Sequence, residues 1–159
     1  MADRRLLRAA RDENIQSLQE LLTAGECDIN VQSKNGWTSL HWAAWCGHTQ
    51  CVQLLLQHGA DTNIQDDNGC TPLKWAAWCG HTQCVQLLLQ HGADTIIQTE
   101  EGRTPLHCAV MFGRTQHGAD TSIQSEWRKT PRFVAEDEKQ AALVELLRRF
   151  EIPDIQVYM

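Results

Sequence analysis

The feature that most constrains this chain is an internal repeat with no substitutions. The 21 residues WAAWCGHTQCVQLLLQHGADT run from Trp42 to Thr62 and again from Trp75 to Thr95, at an offset of 33 residues. A repeat of this length is typical of solenoids, in which each unit buries its apolar side only against its neighbours. The sequence therefore predicts a stack of similar units rather than one globular core.

Each unit is predicted to contain two short helices. A threonine at 38 or 71 is a good N-cap, and a proline such as Pro72 suits the first helical turn. Gly47 and Gly80 end the first helix as C′ glycines do. The segment TQCVQLLLQ follows, with apolar residues on one side and glutamines on the other, which predicts an amphipathic second helix.

A short motif at the start of each first helix indicates the family. The segment TPLHCA at 104–109 has the full motif, while TSLHWA at 38–43 and TPLKWA at 71–76 each differ at one position. TPRFVA at 130–135 is the weakest version. With the 33-residue period, this motif resembles that of the ankyrin repeat family over nearly the whole chain. The resemblance implies an all-α solenoid of stacked helix-turn-helix units that recognises proteins and is not an enzyme.

One repeat is shorter than the others. His91 and His117 begin the same HGAD motif 26 residues apart, so seven residues equivalent to CVQLLLQ are absent after Gln116. The fourth repeat therefore lacks most of its second helix. Five buried apolar side chains are worth on the order of 10 kcal/mol, so we expect the array to be weakly coupled after about residue 113.

The repeat register divides the chain into six segments. They are an N-terminal capping repeat at 1–33, full ankyrin repeats at 34–66 and 67–99, a shortened repeat at 100–125, a C-terminal capping repeat at 126–150 and a tail at 151–159. The two capping repeats carry charged residues where the inner repeats have uncharged ones, as expected for the ends of a soluble solenoid.

Charge and composition indicate which partners to expect. A net charge of −6 does not favour binding to nucleic acid, and no apolar run approaches the ~20 residues that span a bilayer. The start, MADRRLLRAA, is too charged for a signal peptide, and the seven cysteines are then expected to be reduced thiols. We expect a monomer in the cytoplasm, with the nucleus as a second location, whose partner is another protein.

The resemblance implies a concave recognition surface built from the turns between repeats and the ends of the first helices. On this chain those positions are Lys34, Asn35, Trp37, Trp45 and Cys46; Asp67, Asn68, Cys70, Trp78 and Cys79; and Glu100, Glu101, Arg103, Met111 and Phe112. Trp45, Trp78 and Met111 share one repeat position, so we expect them to form a ladder of binding anchors. Trp42 and Trp75 take a position where the family has leucine, and we expect them in the core.

Three other kinds of site have weaker support. A zinc site is suggested by two equivalent sets of residues, Cys46, His48 and Cys51, and Cys79, His81 and Cys84. Neighbouring units about 10 Å apart do not easily pool four ligands, so we predict no metal and no other cofactor. No nucleophile has a base and an orienting group beside it, so we predict no catalytic residue. Asn63 matches the position at which ankyrin repeats are hydroxylated, and the resemblance makes it a candidate for that modification.

The predicted function is that of a protein–protein interaction scaffold or adaptor. An alternative is a truncated structural or regulatory isoform of a longer ankyrin protein, with weak or lost binding. A metal-binding or redox module is a third hypothesis.

Overall fold

The computed structural model describes residues 2–109 and 138–150, and the regular elements in these residues are α-helices. The helices are α1 (Ala2–Arg11), α2 (Ile15–Ala24), α3 (Ser39–Cys46), α4 (Thr49–Gln57), α5 (Pro72–Cys79), α6 (Thr82–Gln90) and α7 (Glu138–Phe150), and residues 105–109 are also helical. First helices stack in the order α1, α3, α5, and second helices in the order α2, α4, α6. The predicted all-α ankyrin solenoid is confirmed.

The start of each first helix is set by a cap. Thr38 Oγ1 accepts a hydrogen bond from the His41 backbone N–H at 3.3 Å, and His41 Nδ1 accepts one from the Thr38 N–H at 3.1 Å. Histidine thus takes the place that glutamate has in a capping box. Thr71 caps α5 in the same way, accepting from the Lys74 N–H at 3.3 Å.

His41 also joins one repeat to the next. Its Nε2 lies 3.0 Å from the carbonyl oxygen of Cys70. A carbonyl can only accept, so Nε2 carries the proton and Nδ1 is free to accept from the backbone of Thr38. The imidazole is fully buried at 0% exposure. A neutral ring in a single tautomer therefore connects α3 to the turn that precedes α5.

This buried histidine predicts a pH dependence of stability. Burial lowers the pKa of His41 below its ordinary value of 6.5, although the bond to the Cys70 carbonyl acts the other way. The unfolded chain therefore binds a proton that the folded chain does not, and stability is lost as the pH falls from about 6.5 toward the lowered folded pKa. We expect the urea concentration at the midpoint of unfolding to decrease as the pH is lowered from about 8 to about 5.

The matched variant for this prediction is His41→Gln. Because it lacks the imidazole, the fall in its urea midpoint over the same pH range should be shallower than in the wild type. His107, whose pKa is also lowered by burial, would account for part of the remaining slope. Equal slopes in the two proteins would assign the pH dependence to other groups.

The core lies between the two layers of helices. It is lined by fully buried leucines, one in each helix from α1 to α6: Leu6, Leu18, Leu40, Leu55, Leu73 and Leu88. Cys51 and Cys84 are 0% and 1% exposed and occupy apolar positions of α4 and α6. The helices α3 and α5, which contact each other, each contain a pair of fully buried alanines, Ala43 with Ala44 and Ala76 with Ala77.

The prediction that Trp42 and Trp75 belong to the core is wrong. Both side chains are half-buried. The fully buried positions that follow each tryptophan are taken by small side chains, Ala43 with Ala44 and Ala76 with Ala77. Trp75 also needs a partner for its polar end, and its Nε1 donates to the Asp66 carboxylate at 2.9 Å.

The last described helix packs directly on the third repeat. α7 contacts α6, and Leu143 and Leu147 of α7 are each 1% exposed. The predicted gap after Gln116 and the tail at 151–159 lie outside the described residues. The boundaries of the segments at 100–125 and 126–150, and the weak coupling after residue 113, stay predictions.

Candidate functional site

Four indole rings meet on one side of the second and third repeats. The rings of Trp37, Trp42, Trp45 and Trp75 are called here the tryptophan cluster. Trp37 lies 4.6 Å from Trp42, 5.6 Å from Trp45 and 5.2 Å from Trp75, measured between ring centroids. The Trp42–Trp45 distance is 5.8 Å. Tilted and edge-to-face pairs at such distances are favourable, so the rings hold each other in place.

The local sequence explains why these rings meet. Trp42 and Trp45 lie three residues apart on α3 and therefore share one side of the helix. Trp37 precedes α3, in a turn where Ser33 N–H donates to the Trp37 carbonyl at 2.8 Å. Trp75 follows Trp42 by one repeat. Trp45 remains 42% exposed, so the cluster presents a large apolar ring to solvent.

In the described residues, the ring contact between repeats is made by other tryptophans than those of the predicted ladder, which was Trp45, Trp78 and Met111. Within residues 2–109, the ring contact between repeats joins Trp37 to Trp75, while Trp45 contacts rings of its own repeat. Trp78 is half-buried. Met111 and Phe112 lie outside the described residues, so their place in a ladder stays a prediction.

Two cations lie against the indole rings. The Lys74 Nζ is 3.9 Å from the Trp75 ring centroid and 5.6 Å from that of Trp78. The Arg11 Cζ is 5.8 Å from the centroid of Trp42. Cation–π contacts of this kind are worth about 0.5–1 kcal/mol at exposed sites. The surface therefore combines aromatic rings with positive charge, although the chain as a whole is acidic.

Lys74 stands where the other repeats have His41 and His107. His107 makes the same contact as His41, with Nδ1 at 2.8 Å from Thr104 Oγ1. An ammonium group has no acceptor, so Lys74 cannot receive the N–H of Thr71 as a histidine would. The third repeat therefore lacks the histidine brace, and the lysine lies on the indoles instead.

A groove lies beside the tryptophan cluster, between the third repeat and the start of the fourth. It has a volume of about 330 Å³ and is lined by Asn68, Cys70, Lys74, Trp75, Trp78, Thr99, Glu100, Glu101 and Arg103. Arg103 Nη2 is 3.2 Å from Glu101 Oε2, so this cation is paired within the groove. The structure thus brings together six residues predicted from the sequence, together with Lys74, Trp75 and Thr99, which were not predicted.

Among those six, Cys70 does not offer its side chain as predicted. It is 3% exposed, and its thiol lies 3.8 Å from the Asn68 carbonyl oxygen. Its backbone N–H donates to Asp66 at 2.9 Å and its carbonyl accepts from His41. Both backbone groups are thus hydrogen-bonded, and the burial of the side chain leaves little of it for a partner to contact.

The other predicted contact residues lie in turns or at helix ends. Lys34, Asn35 and Asp67 are exposed, and Asp67 N–H donates to the Asn35 carbonyl at 3.2 Å. Cys46 and Cys79, the last residues of α3 and α5, are half-buried free thiols. These positions stay predicted contacts.

The residues next to Trp42 and Trp75 in the sequence could have corrected the prediction that these tryptophans belong to the core. Trp42 and Trp75 each precede a pair of alanines, and such a pair indicates the side of the helix on which the backbones approach closely. Lys74, next to Trp75, indicates in addition that this side of α5 faces solvent.

The two histidines that suggested zinc, His48 and His81, have other partners. His48 Nδ1 lies 3.1 Å from the Ala10 carbonyl, and His81 Nε2 lies 3.1 Å from the Trp45 carbonyl, so both rings connect neighbouring units. Burial raises the pKa of the Cys51 thiol to about 11, which disfavours the thiolate that binds metals. In residues 2–109 and 138–150, no three histidine, cysteine or acidic side chains are grouped to hold a metal ion.

Asn63 has a structural contact in the link between repeats. Its Oδ1 accepts from the Asp94 N–H at 2.8 Å, and Asn30 makes the same bond to Asp61 at 2.9 Å. The side chain is half-buried. Hydroxylation of Asn63 stays a prediction.

Comparison with known families decides the class of the protein. A family model described as ankyrin repeats, in three copies, matches residues 6–99. The chain belongs to the ankyrin repeat family. Ankyrin repeats are general protein–protein interaction modules, and the family is typically non-catalytic. The described residues also contain no helix long and apolar enough to cross a membrane.

Individual relatives match only short parts of the chain. The ankyrin repeat domain-containing protein 40 of Mus musculus is 47% identical over 57 residues, which cover 35% of this chain and 15% of the relative. The acyl-CoA-binding domain-containing protein 6 of Xenopus tropicalis is 41% identical over 58 residues, which cover 36% of this chain and 20% of the relative. The chain therefore matches a fifth or less of the length of these relatives.

Proposed function

We propose that this ankyrin repeat protein binds another protein through the tryptophan cluster and the adjoining groove, as a scaffold or adaptor with no catalysis of its own. The observation that carries the proposal is the 42% exposure of Trp45 at the edge of four contacting indoles. Tryptophan is enriched among residues that dominate binding energy, and an exposed group of large apolar rings marks an interaction surface.

The chemistry of the surface limits the kind of partner. Charged residues between Lys34 and Thr99 are few: Lys34, Asp61, Asp66, Asp67, Lys74 and Asp94. Asp66 is only 5% exposed and is used by Trp75 and Cys70. The fitting partner therefore offers an apolar or uncharged polar patch to the rings, with an acceptor group within reach of Lys74.

The experiment compares two double variants. Trp45→Ala with Trp78→Ala removes indoles from the surface, while the matched control, Gln53→Ala with Gln86→Ala, changes exposed residues of α4 and α6. Proteins enriched from a cell extract by the wild type and the control should be lost from the tryptophan variant. For a purified partner, we expect at least about a 30-fold weaker Kd, as the loss of a binding hot spot implies.

Circular dichroism of each variant checks that helicity is kept. Equal binding by the tryptophan variant and the control would reject this surface as the binding site. If the wild type enriches no protein, the alternative of a truncated isoform with weak or lost binding is favoured.

We further propose that the protein acts as a monomer in a reducing compartment, the cytoplasm or the nucleus. The support is that all seven cysteines are free thiols, which suits an intracellular setting. Size-exclusion chromatography with light scattering would test the monomer.

A further inference from the structure

The helix α7 lies parallel to α6. Near the start of α6, Ala142, the fifth residue of α7, lines the same cleft as Thr82, Gln83 and Cys84. Beyond the end of α6, Thr95 Oγ1 donates to the carbonyl of Phe150, the last residue of α7, at 3.3 Å. These two positions give the direction of α7 along the third repeat.

The packing of α4 with α6 has the same form. Thr49, the first residue of α4, places its Oγ1 3.8 Å from the Cys84 Sγ near the start of α6. The starts of α4 and α6 and the second turn of α7 line one cleft, to which Thr49, Thr82 and Ala142 contribute. These three helices thus run in one direction, as second helices of successive units must.

The burial of α7 repeats that of α6 at six of seven aligned positions, and it differs where the buried Leu89 corresponds to the exposed Arg148. The segment LVELLRR at 143–149 aligns with CVQLLLQ at 84–90. The buried residues Leu143, Val144 and Leu147 correspond to Cys84, Val85 and Leu88. The half-buried Leu146 corresponds to Leu87, and the exposed Glu145 to Gln86. Ala142 and Gln83, which correspond in this alignment, line the same cleft.

We propose that α7 serves as the second helix of the fourth unit, in place of the helix whose sequence is missing after Gln116. The first helix of that unit is present, since Thr104 and His107 form the usual cap and residues 105–109 are helical. α7 then covers the side of α6 that the missing helix would have covered. The helix α7 has Glu145, Arg148 and Arg149 exposed, which suits the polar outer side of a capping unit.

This assignment changes the expected effect of the missing segment. The apolar residues absent from the fourth repeat are replaced by those of α7, so the array is not left with an open apolar end. The inference concerns the architecture of the chain, and it stands or falls independently of the proposed binding surface.

The test measures amide hydrogen exchange in the native full-length chain. In the double variant Leu143→Ala with Leu147→Ala, the protection factors of the α6 amides at residues 86–90 should fall at least about tenfold, because this helix would open locally more often. The matched control is Glu145→Ala with Arg149→Ala, which changes exposed residues of the same helix and should leave α6 protection unchanged. Unchanged α6 protection in the leucine variant would overturn the proposal.

A second variant tests the assignment without weakening the core. Inserting CVQLLLQ after Gln116 restores the missing helix, which should then compete with α7 for α6. Nuclear Overhauser contacts between α6 and α7 in the wild type should be replaced by contacts between α6 and the inserted leucines. If the α6–α7 contacts persist unchanged in the insertion variant, α7 does not occupy the place of the missing helix.

Discussion

Gly36→Ala is expected to lower the free energy of unfolding by about 2–5 kcal/mol. Gly36 has a φ of 76°, in the left-handed region that alanine adopts at a cost of about 1–2 kcal/mol. An added Cβ would lie 2.8 Å from the Asp67 backbone N and 2.9 Å from the Asp66 Cα. These atoms belong to the turn of the next repeat and cannot rotate away, so overpacking adds about 1–3 kcal/mol.

Gly59→Ala is the matched control for this substitution. Gly59 has a φ of 83°, and an added Cβ would meet nothing within 4 Å. The Gly59→Ala variant is therefore expected to lose only the free energy of placing alanine in the left-handed region, about 1–2 kcal/mol. Urea unfolding followed by circular dichroism measures both variants. The difference between them reports how closely the turns of adjacent repeats approach, and equal losses would contradict the contact between Gly36 and the Asp66–Asp67 backbone.

Leu55→Ala is expected to destabilise the protein by about 2–5 kcal/mol, the usual cost of removing a fully buried leucine. Leu55 is 0% exposed, in a helix that contacts both α2 and α6. Because each unit of a solenoid is stabilised mainly by its neighbours, a cavity in α4 weakens the interfaces on both sides. Whole domains are stable by only about 5–15 kcal/mol, so this loss is a large part of the total.

The neighbouring residue supplies the control. Leu54→Ala changes the same residue type in the same helix, so the change in helix propensity is identical, but Leu54 is only half-buried. We expect its cost to be well below that of Leu55→Ala, because less apolar surface is lost and the site is open to solvent. Chemical unfolding of the two variants, analysed with a common m-value, makes the comparison. Equal costs would contradict the burial assigned to α4.

Much of the fold could be predicted because its signals are local. Thr38 and Thr71 cap the first helices, and Gly47 and Gly80 end them, as the motif indicated. These caps are hydrogen bonds between residues about three apart in sequence, so a single chain segment contains all the information they need. The period of 33 residues then predicted a solenoid, and the family comparison confirmed it.

The candidate site was predicted less well. The turn residues Asn68, Glu100 and Arg103 do line one groove, as expected for a concave surface. The tryptophans at 42 and 75 were placed in the core because leucine is usual there, yet both are half-buried, and Trp75 Nε1 donates to the Asp66 carboxylate. The contact of Lys74 with two indoles was missed because it depends on the side chains of α5 in three dimensions.

The sequence by itself determined the repeating unit of this protein: two helices, their caps, the glycine turns and the register at which units stack. Tertiary structure alone decided which units meet and which side chains remain exposed. Trp37 reaches Trp75 in the next repeat, and α7 packs on α6 although 47 residues lie between Gln90, the last residue of α6, and Glu138, the first residue of α7. A helix is specified by hydrogen bonds between residues close in sequence, so local sequence is enough to predict it. The partner of its apolar face is a second apolar face that folding brings into contact, and this partner can be far away in the sequence.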